Sequence, residues 1–177
     1  MRISTKKITL MSMLTAVALI VFTIEAQIPL PLPIPGAKLG LANTITLFAL
    51  FYKPKSEQDG RELPPITLSS VDAFMILICR IILSAIFSGR FIAFIYSVTG
   101  GLLAFVAQVL TKKIVNNKQI WVCGAMGAIF HNIGQIIAAV IITSTPSIAI
   151  LLPQLIVIGI VSGCMTGLVT QFVLEKI

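Results

Sequence analysis

Six side chains able to bind a small molecule lie within or beside long apolar segments of this sequence. They are two cations, three amides and one imidazole: Lys38, Arg80, Asn43, Asn132, Gln135 and His131. His131 and Gln135 are four residues apart, so they share one face of a helix. A charged group in hydrocarbon costs about 2.5–3.5 kcal/mol even on the lenient insertion scale, and such groups usually mark a pathway or a site. We therefore predict a substrate-binding site whose basic and amide groups suit an anionic or carbonyl-rich ligand.

Other charged residues near these positions have structural explanations. Glu25 can pair with Lys38 or Arg80 as a clamp between helices, which is the alternative to binding. Arg90 is expected to extend its charged end to the membrane interface. Asp72 is expected to stabilise the start of a helix.

Catalysis by this chain is not expected. The sequence contains no G-x-x-x-x-G-K-[ST] motif for nucleotide binding. Its two aspartates, Asp59 and Asp72, lie on different segments and do not form the cluster that holds Mg²⁺ on a diphosphate. Three isolated cysteines, Cys79, Cys123 and Cys164, have no metal-ligand spacing and are expected to be buried thiols. We predict no catalytic residue, metal or cofactor.

The composition indicates the environment of the elements that position these residues. Of 177 residues, 57% are hydrophobic and 11% are charged, whereas soluble domains carry about 25% charged residues. The mean hydropathy is +1.04. The net charge of +7 comes from basic residues scattered between apolar runs, which does not fit a nucleic-acid-binding patch. The sequence thus predicts an all-α integral membrane protein.

Apolar periodicity and breaks divide residues 1–177 into one transmembrane domain of six helices. The predicted bounds are about 8–28, 37–52, 67–88, 91–111, 119–143 and 148–174. The second helix is short and need not cross the bilayer fully. The proline-rich segment 29–36 is either a stiff connector or a lid over a ligand, and 53–65 is a polar loop.

The basic residues predict the orientation. Ten of them lie on one side: Arg2, Lys6, Lys7, Lys53, Lys55, Arg61, Lys112, Lys113, Lys118 and Lys176. The opposite side has only Lys38 and Arg90 in its loops. Both termini are therefore predicted to be cytoplasmic.

Small residues recur every four positions on several predicted helices. Gly159, Gly163 and Gly167 form the longest series, and such faces let helices approach closely. In helices four to six we expect packing within the bundle. Ser12 and Ala16, on the first helix, can instead present a flat face to another membrane protein.

Two motifs give the chain a family resemblance. Residues 35–43, Pro-Gly-Ala-Lys-Leu-Gly-Leu-Ala-Asn, and 131–135, His-Asn-Ile-Gly-Gln, resemble a bacterial membrane family known as Gx transporter or heptaprenyl diphosphate synthase component I. That family is similar to the substrate-binding S components of energy-coupling factor transporters. It is also similar to membrane parts of flavin- and quinone-linked extracellular electron-transfer systems.

The resemblance implies a six-helix S-component-like bundle in a bacterial plasma membrane, with an outward-facing pocket. It places the lid at 29–36 and the pocket at Lys38, Asn43, Arg80, His131, Asn132 and Gln135. Ser12 and Ala16 would dock a transmembrane T component that carries two ABC ATPases. The alternative function is a non-transporting subunit that scaffolds isoprenoid, quinone or redox enzymes.

Overall fold

The computed structural model describes residues 4–28, 38–53 and 67–176. The described chain contains six α-helices and no β-strand. The helices are α1 (Thr5–Glu25), α2 (Asn43–Phe51), α3 (Ser70–Ser88), α4 (Phe91–Lys112), α5 (Ile120–Thr143) and α6 (Leu152–Lys176). Short 3-10 turns at Asn117–Gln119 and Pro146–Leu151 precede α5 and α6.

Five of these helices are long and apolar enough to cross a membrane. The exception is α2, whose nine residues extend about 14 Å against a hydrocarbon core of about 30 Å. The chain is thus an all-helical, multi-pass membrane protein. The proline-rich segment 29–36 and all of the predicted loop 53–65 except Lys53 lie outside the described residues.

The second helix begins at Asn43, six residues later than the sequence pattern predicts. Gly40 has a φ of +80°, and residues 38–42 form non-helical backbone and a turn. At its other end, the Lys112 ammonium donates to the carbonyl of Leu50. Since Asn43 contacts His131, near the midpoint of α5, the non-helical segment 38–42 enters the bundle to about half its depth.

The start of α3 is fixed by a capping box. The Ser69 hydroxyl accepts from the Asp72 N–H, and the Asp72 carboxylate accepts from the Ser69 N–H. Lys7 of α1 forms an ion pair with Asp72 at 2.7 Å. The predicted structural role of Asp72 is confirmed, and the pair holds the first turns of α1 and α3 at the same end of the bundle.

Helices α4, α5 and α6 pack through glycines. A Cβ on Gly163 of α6 would lie 2.5 Å from the Gly124 carbonyl oxygen of α5. A Cβ on Gly134 of α5 would lie 2.7 Å from the Thr99 carbonyl oxygen of α4. These contacts confirm packing within the bundle, where close approach replaces the hydrophobic driving force that lipid does not supply.

The outer surface of the bundle is apolar. Phe87 and Phe91 are 77% and 71% exposed, as expected for side chains that face lipid tails. Cys123 is buried, but Cys79 lies on the exposed side of α3, so the prediction of buried thiols is wrong there. The reason is that a thiol is apolar enough to face hydrocarbon as well as protein.

Candidate functional site

A cavity opens among α1, α3, α4, α5 and the segment that leads into α2. It has about 240 Å³ of empty space, counted with its opening, and is lined by Phe22, Glu25, Lys38, Gly40, Arg80, Tyr96, Ser97, His131 and Gln135. Arg80, His131, Gln135 and Glu25 are each at most 3% exposed. The enclosed part of this space holds about one water molecule, so it suits a small group or one end of a larger molecule.

A chain of hydrogen bonds connects side chains that line this cavity through Asn43, which does not line it and instead lines a neighbouring cavity. Arg80 Nη2 donates to Asn43 Oδ1 at 3.1 Å. His131 lies within hydrogen-bond distance on both sides, with Nδ1 3.1 Å from Asn43 Nδ2 and Nε2 2.8 Å from Gln135 Nε2. Gln135 Oε1 in turn accepts from the Lys38 backbone N–H at 3.2 Å. Five of the predicted site residues thus form one connected group.

This group has a surplus of hydrogen-bond donors. Both atoms that face His131 are amide nitrogens, and a neutral imidazole accepts at only one ring nitrogen. Arg80 Nε is buried and has no hydrogen-bond partner among the residues that the structure describes. A ligand with acceptor oxygens would accept hydrogen bonds from these donors.

The carboxylate of Glu25, which lines the same cavity, binds the backbone of segment 38–42. Glu25 Oε1 accepts from the N–H groups of Gly40, at 2.5 Å, and Leu41, at 3.2 Å. The hydrogen-bond partners of Glu25 are therefore backbone groups, whereas the alternative clamp would have paired it with the side chain of Lys38 or Arg80. Non-helical backbone inside a membrane bundle must be satisfied in this way unless it lines a cavity, and segment 38–42 does both.

Within the described part of the chain, no carboxylate lies within ion-pair distance of either cation of the cavity. The Lys38 ammonium lies 3.0 Å from the centroid of the Phe22 ring, a cation–π contact. Lys38 belongs to the non-helical segment that precedes α2 and lies inside the bundle.

Two glycines hold the imidazole ring in place. A Cβ on Gly40 would lie 2.6 Å from His131 Cδ2, and a Cβ on Gly100 would lie 2.6 Å from His131 Nδ1. The ring is thus contacted closely by the backbone of segment 38–42 and by that of α4. This fixes its direction toward Asn43 and Gln135.

The structure separates Asn132 from the other predicted residues. Its side-chain amide donates to the Leu155 carbonyl of α6 at 2.6 Å, and Asn132 does not line the cavity. The predicted docking residues Ser12 and Ala16 are both exposed on α1.

Sequence reasoning missed several residues that line the cavity or shape its floor. Phe22 gave no signal, because one aromatic residue in an apolar helix is ordinary. Gly100 borders His131, but a glycine in an apolar helix indicates only close packing. Tyr96 and Ser97 line the cavity and lie two turns from the start of α4. The polarity of Tyr96 and Ser97 within an otherwise apolar stretch was the signal that could have found them.

A second cavity lies between α2, α4, α5 and α6. Its empty space is about 270 Å³, and among the residues that line it are Gln108, Asn43 and Ser162. Gln108 is buried and its Oε1 has no hydrogen-bond partner. No charged residue lines this cavity, so the charged cavity is the stronger candidate for binding.

No group of three or more His, Cys, Asp or Glu residues that could hold a metal ion is present in the described part of the chain.

The fold and the cavity define a multi-pass helical membrane protein with a buried, donor-rich polar site. A family model described as heptaprenyl diphosphate synthase component I matches residues 14–58 and 63–173. The chain therefore belongs to this family. Neither the curated proteins nor the solved structures gave a significant match.

Proposed function

We propose that this protein is the substrate-binding subunit of an importer, similar to the S components of energy-coupling factor transporters. The observation that carries the proposal is Arg80: its guanidinium is 3% exposed, lines a cavity, and keeps Nε without a partner. A buried charge of this kind in a membrane bundle is costly unless something pairs with it. Binding of a small molecule provides the missing acceptor.

The proposed ligand is a small molecule with an anionic or carbonyl-rich part. Lys38 and Arg80 supply two positive charges against the single carboxylate of Glu25. The surplus donors around His131 favour a ligand with several acceptor oxygens. The ligand would insert this part between Arg80 and Lys38.

The proposed topology has six passes, with α2 and the segment before it forming the second. Both termini are cytoplasmic, in the plasma membrane of a bacterium, and residues 1–177 form one transmembrane domain. Two observations support this proposal: the positions of the basic residues along the sequence, and the ion pair that places the starts of α1 and α3 at one end. The cavity then opens toward the outer side, and segment 29–36 is the proposed lid.

Energy for uptake would come from partners, because the sequence has no P-loop. We propose that a T component with two ABC ATPases docks on the face of α1 that contains Ser12 and Ala16. Small exposed side chains on that face support this assignment. Binding, closure and reorientation of the docked bundle would complete a transport cycle.

Two substitutions test the site. Arg80→Ala removes the unpaired donor, and His131→Ala breaks the chain between Asn43 and Gln135. We expect both variants to insert in the membrane and to lose the small molecule that wild type retains after mild detergent purification, as measured by mass spectrometry. Arg90→Ala is the matched control, because Arg90 is exposed and does not line the cavity. Retention of the same molecule by both site variants would contradict the proposal.

The second candidate is a non-transporting membrane subunit of an isoprenoid, quinone or flavin-linked system. The family description, which refers to a prenyl diphosphate synthase component, favours it. Co-purification separates the two functions. Recovery of a T component with ATPases supports the importer, whereas recovery of a prenyl synthase or flavoprotein without them supports the alternative.

A further inference from the structure

The turn before α2 holds a carboxylate oxygen in a small concave site. The consecutive N–H groups of Gly40 and Leu41 both point at Glu25 Oε1, at 2.5 and 3.2 Å. Gly40 is left-handed, with a φ of +80°. Two successive N–H groups of a turn that converge on one oxygen form an anion-binding concavity.

The donors around this concavity exceed what Glu25 uses. Arg80, which is nine-tenths buried or more, lines the same cavity and leaves Nε without a partner. The Lys38 ammonium lies on the Phe22 ring. With Arg80 and Lys38 charged, Glu25 ionised and His131 neutral, the residues that line the cavity carry a net charge of +1.

We propose that the Gly40–Leu41 N–H pair is a carboxylate-binding seat, filled by Glu25 in the unliganded protein and taken over by a ligand carboxylate on binding. This inference rests on the proposed capture function, because it concerns the same cavity. The released Glu25 side chain then pairs with Lys38, and the bound monoanion makes the cavity neutral. A phosphate group, with a charge of about −1.5 to −2, would leave an excess of negative charge.

The exchange changes the contacts of α1 when a ligand occupies the site. Glu25 is the last residue of α1, and its bonds to Gly40 and Leu41 connect that helix to the segment leading into α2. When a ligand carboxylate takes the seat, this connection is replaced. Ligand binding therefore changes the contacts at the end of α1, the helix that carries Ser12 and Ala16.

The test removes the Glu25 carboxylate and adds a free carboxylate that can bind the Gly40–Leu41 N–H pair. Trifluoroacetate is the probe, and its binding to the purified full-length protein in lipid nanodiscs is measured by ¹⁹F NMR. Glu25→Ala is expected to bind the probe at least about tenfold more tightly than wild type, because a tethered carboxylate competes at a millimolar effective concentration or higher. Acetate is expected to raise the melting temperature of Glu25→Ala and not that of wild type.

Gln27→Ala is the matched control. Gln27 is exposed, two residues beyond Glu25, and its removal is expected to leave probe binding at the wild-type level. Guanidinium chloride at equal ionic strength controls for charge and is expected not to stabilise Glu25→Ala. Stabilisation by guanidinium as strong as that by acetate would contradict a carboxylate seat.

A second variant keeps the inference testable if Glu25→Ala does not fold. Glu25→Gln retains the size and an acceptor oxygen but loses the charge, so the probe is again expected to bind more tightly than to wild type. The inference is overturned if every variant that folds binds trifluoroacetate no more tightly than wild type. Failure of the importer proposal gives a different result, since the seat would still bind the probe while no T component and no retained molecule is found.

Discussion

Lys38 and Arg80 are the two cations of the cavity, and they differ in what they offer a ligand. Arg80 presents a planar guanidinium that can bind two oxygens of a carboxylate at once. Lys38 presents a compact ammonium on a flexible stem, and its charge lies on the Phe22 ring. Each cation can therefore be removed separately to test its contribution to binding.

Lys38→Met keeps an unbranched side chain against Phe22 and removes one of the two positive charges of the cavity. Affinity for an anionic ligand is expected to be about tenfold lower than in wild type. Retention of the bound molecule after purification gives the measurement, and equal retention by wild type and Lys38→Met would show that Lys38 does not act on the ligand.

Gly100 gives a prediction about the imidazole. A Cβ at this position would lie 2.6 Å from His131 Nδ1 and 2.9 Å from the His131 carbonyl oxygen, which is backbone and cannot give way. Gly100→Ala is expected to lower the free energy of unfolding by about 1–3 kcal/mol and to weaken ligand retention. Thermal denaturation in detergent and mass spectrometry measure the two effects.

The neighbouring glycine is a matched control. A Cβ on Gly101 would first meet the end of the Ile81 side chain, at 3.2 Å, and a flexible methyl group can move. Gly101→Ala is expected to be milder in both assays. Equal losses from both substitutions would show that His131 is not held by the close approach of Gly100.

At the scale of single residues, the sequence identified polar side chains that need a partner, but it did not identify the groups to which they are hydrogen-bonded. Lys38, Asn43, Arg80, His131 and Gln135 were found from the cost of polar groups in apolar segments, and the structure connects them. Asn132 was included by the same rule but bonds to the Leu155 carbonyl of α6. The rule identifies a side chain that needs a partner, and only the packing of helices decides whether that partner is a ligand or a neighbouring helix.

At the scale of elements, α2 shows where periodicity fails. Residues 37–52 are apolar enough to read as one helix, yet the helix begins at Asn43. Gly40 permits the left-handed turn, but Glu25 and Gln135 supply the acceptors that make the non-helical backbone tolerable. These partners are 15 and 97 residues away in sequence from the N–H groups they accept from, so no local pattern could reveal them.

The pair α5 and α6 provides a prediction of its own. The Gly124 and Gly163 backbones are so close that a Cβ on Gly163 would lie 2.5 Å from one carbonyl oxygen and 2.7 Å from the Ala125 Cα. Gly163→Ala must separate the two helices and is expected to lower the free energy of unfolding by about 2–3 kcal/mol. Denaturation of the reconstituted protein measures this change.

Val161→Ala serves as the comparison on the same helix. Val161 is 57% exposed and faces away from α5, so its truncation is expected to change the free energy of unfolding by less than about 0.5 kcal/mol. Similar losses from Gly163→Ala and Val161→Ala would show that the glycine contact does not determine the packing of α5 on α6.

At the scale of the whole molecule, the bundle has a firmly packed part and a loosely packed part. Helices α4, α5 and α6 pack closely against one another at glycines. Helix α1 contacts chiefly α2 and α3, and most of its surface is exposed. One exposed side of α1 carries small or hydroxyl side chains, at Thr9, Ser12, Ala16 and Thr23. Lipid gives no reason for small residues there, but a second helix that packs closely does.

A substitution on this side of α1 separates docking from binding. Ala16→Trp adds bulk to the exposed face of α1 without reaching the cavity, so recovery of the proposed T component and ATPases is expected to fall at least about tenfold, which corresponds to about 1.4 kcal/mol. Retention of the small molecule should be unchanged, because neither Glu25 nor Arg80 contacts Ala16. Val17→Trp places the same bulk on the adjacent, apolar side of α1, where lipid can accommodate it, and should leave both properties intact. If Ala16→Trp recovers the partners as well as Val17→Trp does, then α1 does not dock through its small residues, and the partner must bind another face of the bundle.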